Sequence, residues 1–226
     1  MEYKQLLQVL MDNSDHSFDE FNNKIINSGV KTLGCTVPFV RKLAKKTTLL
    51  EAVQYPVHEY YEIDLLKGIV VSCAKLPFED KKTYLTNFAD TIENWAVCDC
   101  STVKVPKSEM NVYFQYFCNL CLSNKPFVAR YGIVNLLANF LTDEYIEIIF
   151  AKFNEITTFG NYYVDMSVAW LLATAVVKCR NQTVSYMEGN GKIVLNKFTY
   201  NKALQKMRDS FRVSPEDKEW TKTMKL

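Results

Sequence analysis

The clearest chemistry in this chain belongs to Trp95, Asp99, Arg130 and Trp170. Trp95 and Asp99 stand at i,i+4 spacing in Asn94-Trp95-Ala96-Val97-Cys98-Asp99, so on a helix both project from one face. Arg130 and Trp170 fall on later helical stretches, about one two-helix repeat apart. Aromatic faces attract cations, a carboxylate stabilises developing positive charge, and a guanidinium fork grips phosphate. Together these groups suit a substrate that carries both a positive charge and phosphates, as damaged DNA does.

Little else in the chain competes with this set. His16 and His58 are isolated, which supports neither a His-based nucleophilic site nor a His-rich metal site. No Gly-rich phosphate loop is present. Seven cysteines, an odd number, point to reduced thiols. Cys98-x-Cys100 with Cys118-x-x-Cys121 admits a zinc reading, but Cys118 and Cys121 lie in the apolar helical run from Val112 to Leu122, without the tight turns that zinc ribbons use. Buried, metal-free cysteines and no cofactor are expected.

The elements that must position these groups are helices. Ile133, Leu136, Leu137, Phe140 and Leu141 repeat at helical spacing, as do Val168, Leu171, Leu172, Ala175 and Val176, and Leu66, Ile69, Val70 and Cys73. Trp170 lies off its stripe and aligns with Tyr163, Met166 and Ala173, which turns it away from the core. Helix stops fall at Tyr55-Pro56, Leu76-Pro77, Val105-Pro106, Lys125-Pro126, Phe159-Gly160 and Gly189-Asn190-Gly191. Ser14, Thr142-Asp143 and Ser214-Pro215-Glu216-Asp217 read as N-caps. About thirteen helices result, many of about 10 to 18 residues, paired at a period of about 35 to 40 residues. A short strand pair between Thr183 and Val194 is the one exception considered. The pattern predicts an all-α protein, a single α-solenoid domain over 1–226 with a concave face.

Composition agrees with a helical, intracellular protein. Apolar residues make up 48% and aromatics 13% of 226 residues, enough for a sizeable core, and only 7 Gly and 6 Pro interrupt it. There is no apolar run of membrane-spanning length and no signal-peptide pattern at the N-terminus, so no membrane partner and a cytoplasmic location are expected. Net charge is +2 but uneven: from Lys192 to Leu226 nine basic residues face four acidic ones. Arg41-Lys42-Leu43-Ala44-Lys45-Lys46 is a second basic cluster. Either is a solvated helix face or a phosphate-facing stripe.

Trp95 with Asp99, Arg130, Trp170 and the cluster that begins at Arg41, taken in chain order, resemble the pattern of the AlkD-like DNA alkylation-repair family, which comprises HEAT-like-repeat DNA glycosylases and their relatives. Leu33-Gly34-Cys35-Thr36-Val37-Pro38-Phe39-Val40-Arg41 is similar to the family's N-terminal Leu-Gly-x-x-x-Pro-x-x-Arg. Asn94 to Asp99 resembles its central Trp-x-x-x-Asp, and Val128-Ala129-Arg130-Tyr131-Gly132-Ile133 its arginine-bearing helix. Tyr162 to Trp170 is similar to its late tryptophan helix, and Asn201 to Arg208 to its closing basic helix. The likeness spans about residues 30 to 225.

It implies a monomeric, metal-free DNA glycosylase that holds alkylated duplex DNA along a concave face of HEAT-like two-helix repeats. Purines alkylated at N3 or N7 would be excised by hydrolysis of the N-glycosidic bond, without a pocket for a flipped base. Asp99, Trp95 and Trp170 would be catalytic. Arg130, Arg41, Lys42, Lys45, Thr36, Lys202 and Lys206 would contact DNA. Two departures stand out: Val37 replaces a threonine, with Thr36 one place earlier, and an aromatic expected from the second helix is replaced by Ile25 and Ile26, with Phe21 or Tyr3 as substitutes. Two other readings remain: a non-catalytic relative that recognises DNA shape, and a HEAT-type protein-interaction scaffold.

Overall fold

The computed structural model describes residues 1–26, 29–189 and 195–224. Among these residues the chain is all-helical, with fourteen α-helices, one short 3-10 turn and no strand beyond an isolated bridge between Lys31 and Tyr60. It forms two compact units, Met1–Lys104 and Val105–Leu226.

The first unit holds α1 (Tyr3–Asp12), α2 (His16–Ile26), α3 (Val37–Ala44), α4 (Leu49–Gln54), α5 (Tyr61–Cys73), α6 (Phe78–Ala89) and α7 (Trp95–Cys100). Its centre is α5, which packs against α3, α4, α6 and α7. That role explains its sequence: twelve of its thirteen residues are buried, polar ones included, so it carries no single apolar stripe. Gly68 lets α5 approach closely, because a Cβ there would collide with Ser101 Oγ and the Phe88 ring. The Ser72 hydroxyl donates to the Ser101 carbonyl at 2.5 Å, fixing the end of α7 against α5.

The second unit holds α8 (Met110–Cys121), α9 (Pro126–Asn139), α10 (Ile146–Phe153), α11 (Tyr162–Lys178), α12 (Arg180–Met187), α13 (Lys197–Asp209) and α14 (Pro215–Thr223). Here α9 packs on α8 and α11, while α11 packs on α12 and α13. Two of the three expected apolar stripes, Ile133 to Leu141 and Val168 to Val176, are buried throughout, while in the third, on α5, Leu66, Ile69 and Val70 are buried and Cys73 is exposed. Gly132 allows the α8–α9 approach, since a Cβ would stand 2.7 Å from the Phe117 carbonyl oxygen and the Cys121 amide. In each unit a helix meets the one two places on: α3, α5 and α7 in the first, α9, α11 and α13 in the second.

Caps set the helix starts. Thr48 and Glu51 form a capping box on α4, and Asn94, Asn161, Asn196 and Ser214 each accept an amide hydrogen from the first turn of α7, α11, α13 and α14. Two expected caps differ. At α2 the Asp15 carboxylate, not Ser14, accepts from the Ser17 and Phe18 amides at 2.9 and 3.2 Å. At α10 Tyr145 stands at the cap with no side-chain bond, and Thr142 contributes its backbone carbonyl. Thr183 to Met187 belong to α12 instead of a strand, and residues 190–194 lie outside the described residues. No helix among the described residues is long and apolar enough to cross a membrane.

Candidate functional site

Trp95 and Asp99 lie in the first unit, Arg130 and Trp170 in the second. In the first unit α7 carries Trp95 at its first position and Asp99 near its last. The Asn94 side chain accepts from the Val97 amide at 2.9 Å and fixes the helix start. Both Trp95 and Asp99 are half-buried. The Trp95 indole Nε1 donates to the Ile25 carbonyl at 3.2 Å, which pins the ring against the end of α2.

Arg41 joins this pair. Its guanidinium donates to the Cys100 carbonyl at 3.1 Å, so an exposed cation sits at the C-terminal end of α7, next to Asp99 in sequence. The helix dipole favours a cation there. Burial pushes the Cys100 thiol up from its ordinary value; the nearby Arg41 charge opposes the shift and the Asp99 charge adds to it. One short helix therefore carries Trp95 and Asp99 and holds the Arg41 guanidinium at its C-terminal residue.

The segment before α3 explains how Arg41 is placed. Gly34 has φ of +76°, and a Cβ there would meet the Asp15 carbonyl and stand 2.9 Å from the Asp19 amide. The fully buried Glu62 carboxylate accepts from the Leu33 and Cys35 amides at 3.0 to 3.1 Å. Burial raises the Glu62 pKa, and these amide bonds work against the rise. Thr36, exposed, is the N-cap of α3 and accepts from Phe39 N at 3.4 Å. Lys42 and Lys45 are exposed. Arg41 and Lys45 also line a cleft of about 690 Å³ floored by Ala44, Ile69 and Val70.

Ile25 is exposed and its carbonyl holds Trp95, whereas Ile26 is buried. Phe21 lies one helical turn before Ile25, on the same face of α2, and is 54% exposed. Tyr3 is committed elsewhere: its hydroxyl donates to Glu59 at 2.7 Å and its ring packs on Tyr55.

In the second unit Trp170 is 37% exposed, on the face of α11 that also carries the half-buried Tyr163 and Met166, while Ala173 on the same line is buried. Arg130 differs from its expected role. It is buried, and its guanidinium donates to the Tyr163 carbonyl at 2.6 Å, so it ties α9 to the first turn of α11. Buried arginine held by a carbonyl is a strut; an open phosphate clamp needs the fork in solvent. Lys202 donates to Gln205 at 2.9 Å with its ammonium 5.8 Å from the centre of the Phe198 ring, and Lys206 is half-buried.

Residue-level reading of the sequence missed three side chains in this unit. Phe127, Tyr162 and Phe198 each lie within the first two residues of α9, α11 and α13, and Tyr162 and Phe198 are exposed. The sequence signal was there: an aromatic directly follows Pro126, Asn161 and Lys197 at three helix starts.

Cys98, Cys118 and Cys121 are buried and Cys100 is half-buried; Cys118 and Cys121 lie within α8. Among the described residues no group of three His, Cys, Asp or Glu side chains converges as metal ligands would. No protein-family model and no curated protein matches this chain.

Proposed function

We propose that this protein is a DNA glycosylase of the AlkD-like kind, which releases N3- or N7-alkylated purines from duplex DNA. The observation that carries this reading is the arrangement on α7: a half-buried aromatic pinned by Ile25, a carboxylate one turn on, and the Arg41 cation on the Cys100 carbonyl at the helix end. In this reading an alkylated purine leaves C1′ with the bonding electron pair, which neutralises its ring. Positive charge moves to the deoxyribose as it departs. Asp99 stabilises that cation and takes a proton from the attacking water, whose oxygen bonds to C1′ and leaves an abasic site. Trp95 offers its ring face to the cationic base or sugar, worth about 0.5 to 2 kcal/mol. Arg41, Lys42 and Lys45 contact phosphates, and Trp170 offers a partly exposed ring in the second unit. The alternate-helix packing in each unit supports stacked helical pairs as the scaffold.

A second reading, a DNA-shape-binding relative without base excision, is favoured by the buried state of Arg130, which removes one expected phosphate contact. Base release from methylated duplex DNA separates the two. Wild type releases 3-methyladenine or 7-methylguanine and Asp99→Asn is slowed at least about a hundredfold under the first reading. Salt-sensitive binding with no release by the folded wild type establishes the second.

A further inference from the structure

Four aromatic rings form a continuous line across one end of the second unit. Phe127 on α9 packs on Tyr163 with ring centres 4.8 Å apart, Tyr163 meets Tyr162 at 5.4 Å, and Tyr162 meets Phe198 on α13 at 6.1 Å. Tyr162 is 56% exposed and Phe198 42% exposed, so both rings are open to water over part of their surface. Apolar rings held together in solvent mark an interaction surface.

The line is built rigidly. Arg130 donates to the Tyr163 carbonyl beneath it. The buried Asp165 carboxylate accepts from the Gly160 amide at 3.1 Å and from the Asn196 side chain at 3.3 Å, and Asn196 in turn caps α13 through the Thr199 amide at 2.8 Å. The first turns of α11 and α13, and with them Tyr162 and Phe198, are locked to each other before any partner arrives.

The charge around the rings is positive. Lys202 stands beside Phe198, Lys197 precedes it and is exposed, and the rings sit at the N-terminal ends of three helices, where the dipole adds positive potential. The nearby carboxylate, Asp165, is turned inward and buried. A partner must therefore offer flat apolar faces at short intervals together with negative charge. Unpaired bases on a phosphate backbone do so; a duplex hides the faces of its bases in the stack.

We propose that Phe127, Tyr162, Tyr163 and Phe198 form a stacking platform for single-stranded DNA, with Lys197 and Lys202 on its backbone phosphates. These residues belong to the second unit and α7 to the first, and the proposal does not rest on base excision.

The test is fluorescence anisotropy of the full chain with a labelled oligothymidylate of about twelve nucleotides, titrated with salt between about 50 and 200 mM. Wild type binds the single strand, and Tyr162→Ala and Phe198→Ala each weaken binding about tenfold with the salt slope unchanged. Tyr162→Phe, which keeps the ring, binds as wild type. Lys202→Gln lowers the salt slope by about 0.7, the share of one phosphate. Both rings are only partly buried, so the alanine variants stay folded, which their melting temperatures check. Wild type alone supplies an independent readout: 2-aminopurine in the strand is quenched on stacking. No binding at the lowest salt, unchanged affinity after ring removal, no quenching, an equal loss of affinity for blunt duplex, or tighter binding of the matching RNA would each overturn the proposal. Base release from methylated duplex is a separate measurement, so failure here is distinguishable from failure of the glycosylase reading.

Discussion

The Arg130 guanidinium donates to the Tyr163 carbonyl at 2.6 Å, a bond between α9 and the first turn of α11. Arg130 is buried, so the bond exchanges little with water, and hydrogen bonds from charged donors are worth about 1.5 to 3 kcal/mol. Arg130→Ala is expected to lower the unfolding free energy by about 2 to 3 kcal/mol in urea titration. The salt slope of DNA binding should stay at its wild-type value. A slope reduced by about one unit with unchanged stability would return Arg130 to the phosphate-contacting role its sequence context suggests.

Trp95 carries both an aromatic face and a donor, and the two are separable. Trp95→Phe keeps a ring but removes the Nε1 bond to the Ile25 carbonyl, so stability should fall by about 1 kcal/mol. Base release should fall further in Trp95→Ala than in Trp95→Phe, because only the first removes the π face. Equal loss in both variants would show that ring position, set by the Ile25 bond, matters more than the ring itself.

Asp64 gives stability a pH dependence. Burial raises its pKa to about 6, although the His58 amide donates to both carboxylate oxygens at 3.1 and 3.2 Å and the His58 and Lys67 charges oppose the shift. Its folded pKa lies above the ordinary value of about 4. Between those limits the folded state holds more protons than the unfolded state, so stability falls as pH rises from about 4 to 6. The whole loss is of the order of 3 kcal/mol. Asp64→Asn cannot titrate and should lack this part of the decline. The measurement is the difference between wild-type and variant unfolding free energies at pH 4, 5 and 6, and a constant difference would contradict the assignment.

Most of the fold was readable because it rests on local rules. Apolar spacing located α5, α9 and α11, and prolines marked the boundaries of α6 and α9. Trp170 stood off its apolar stripe in the sequence and is exposed in the structure, since helical period alone decides which face a side chain takes. What could not be read depends on contacts between distant segments. Asp15 caps α2 where Ser14 was expected, since two adjacent residues of capping type offer the same signal and only the structure selects one. The loop at residues 33–35 folds onto Glu62, 27 to 29 residues later, and no local spacing signals that contact. Arg130 was expected on a phosphate, and its burial against the Tyr163 carbonyl, 33 residues later, follows from no spacing rule. The Tyr162–Phe198 contact joins two helix starts separated by the whole of α11 and α12, beyond any spacing rule.

Base release from methylated duplex DNA by purified wild type and Asp99→Asn tests the proposed glycosylase most directly. Free 3-methyladenine or 7-methylguanine should appear with an equal yield of abasic sites, and the variant should be slower by at least about a hundredfold with its melting temperature kept. Release at the wild-type rate by Asp99→Asn would contradict the mechanism assigned to α7. No release by a folded wild type that binds the same duplex would contradict the enzymatic reading itself.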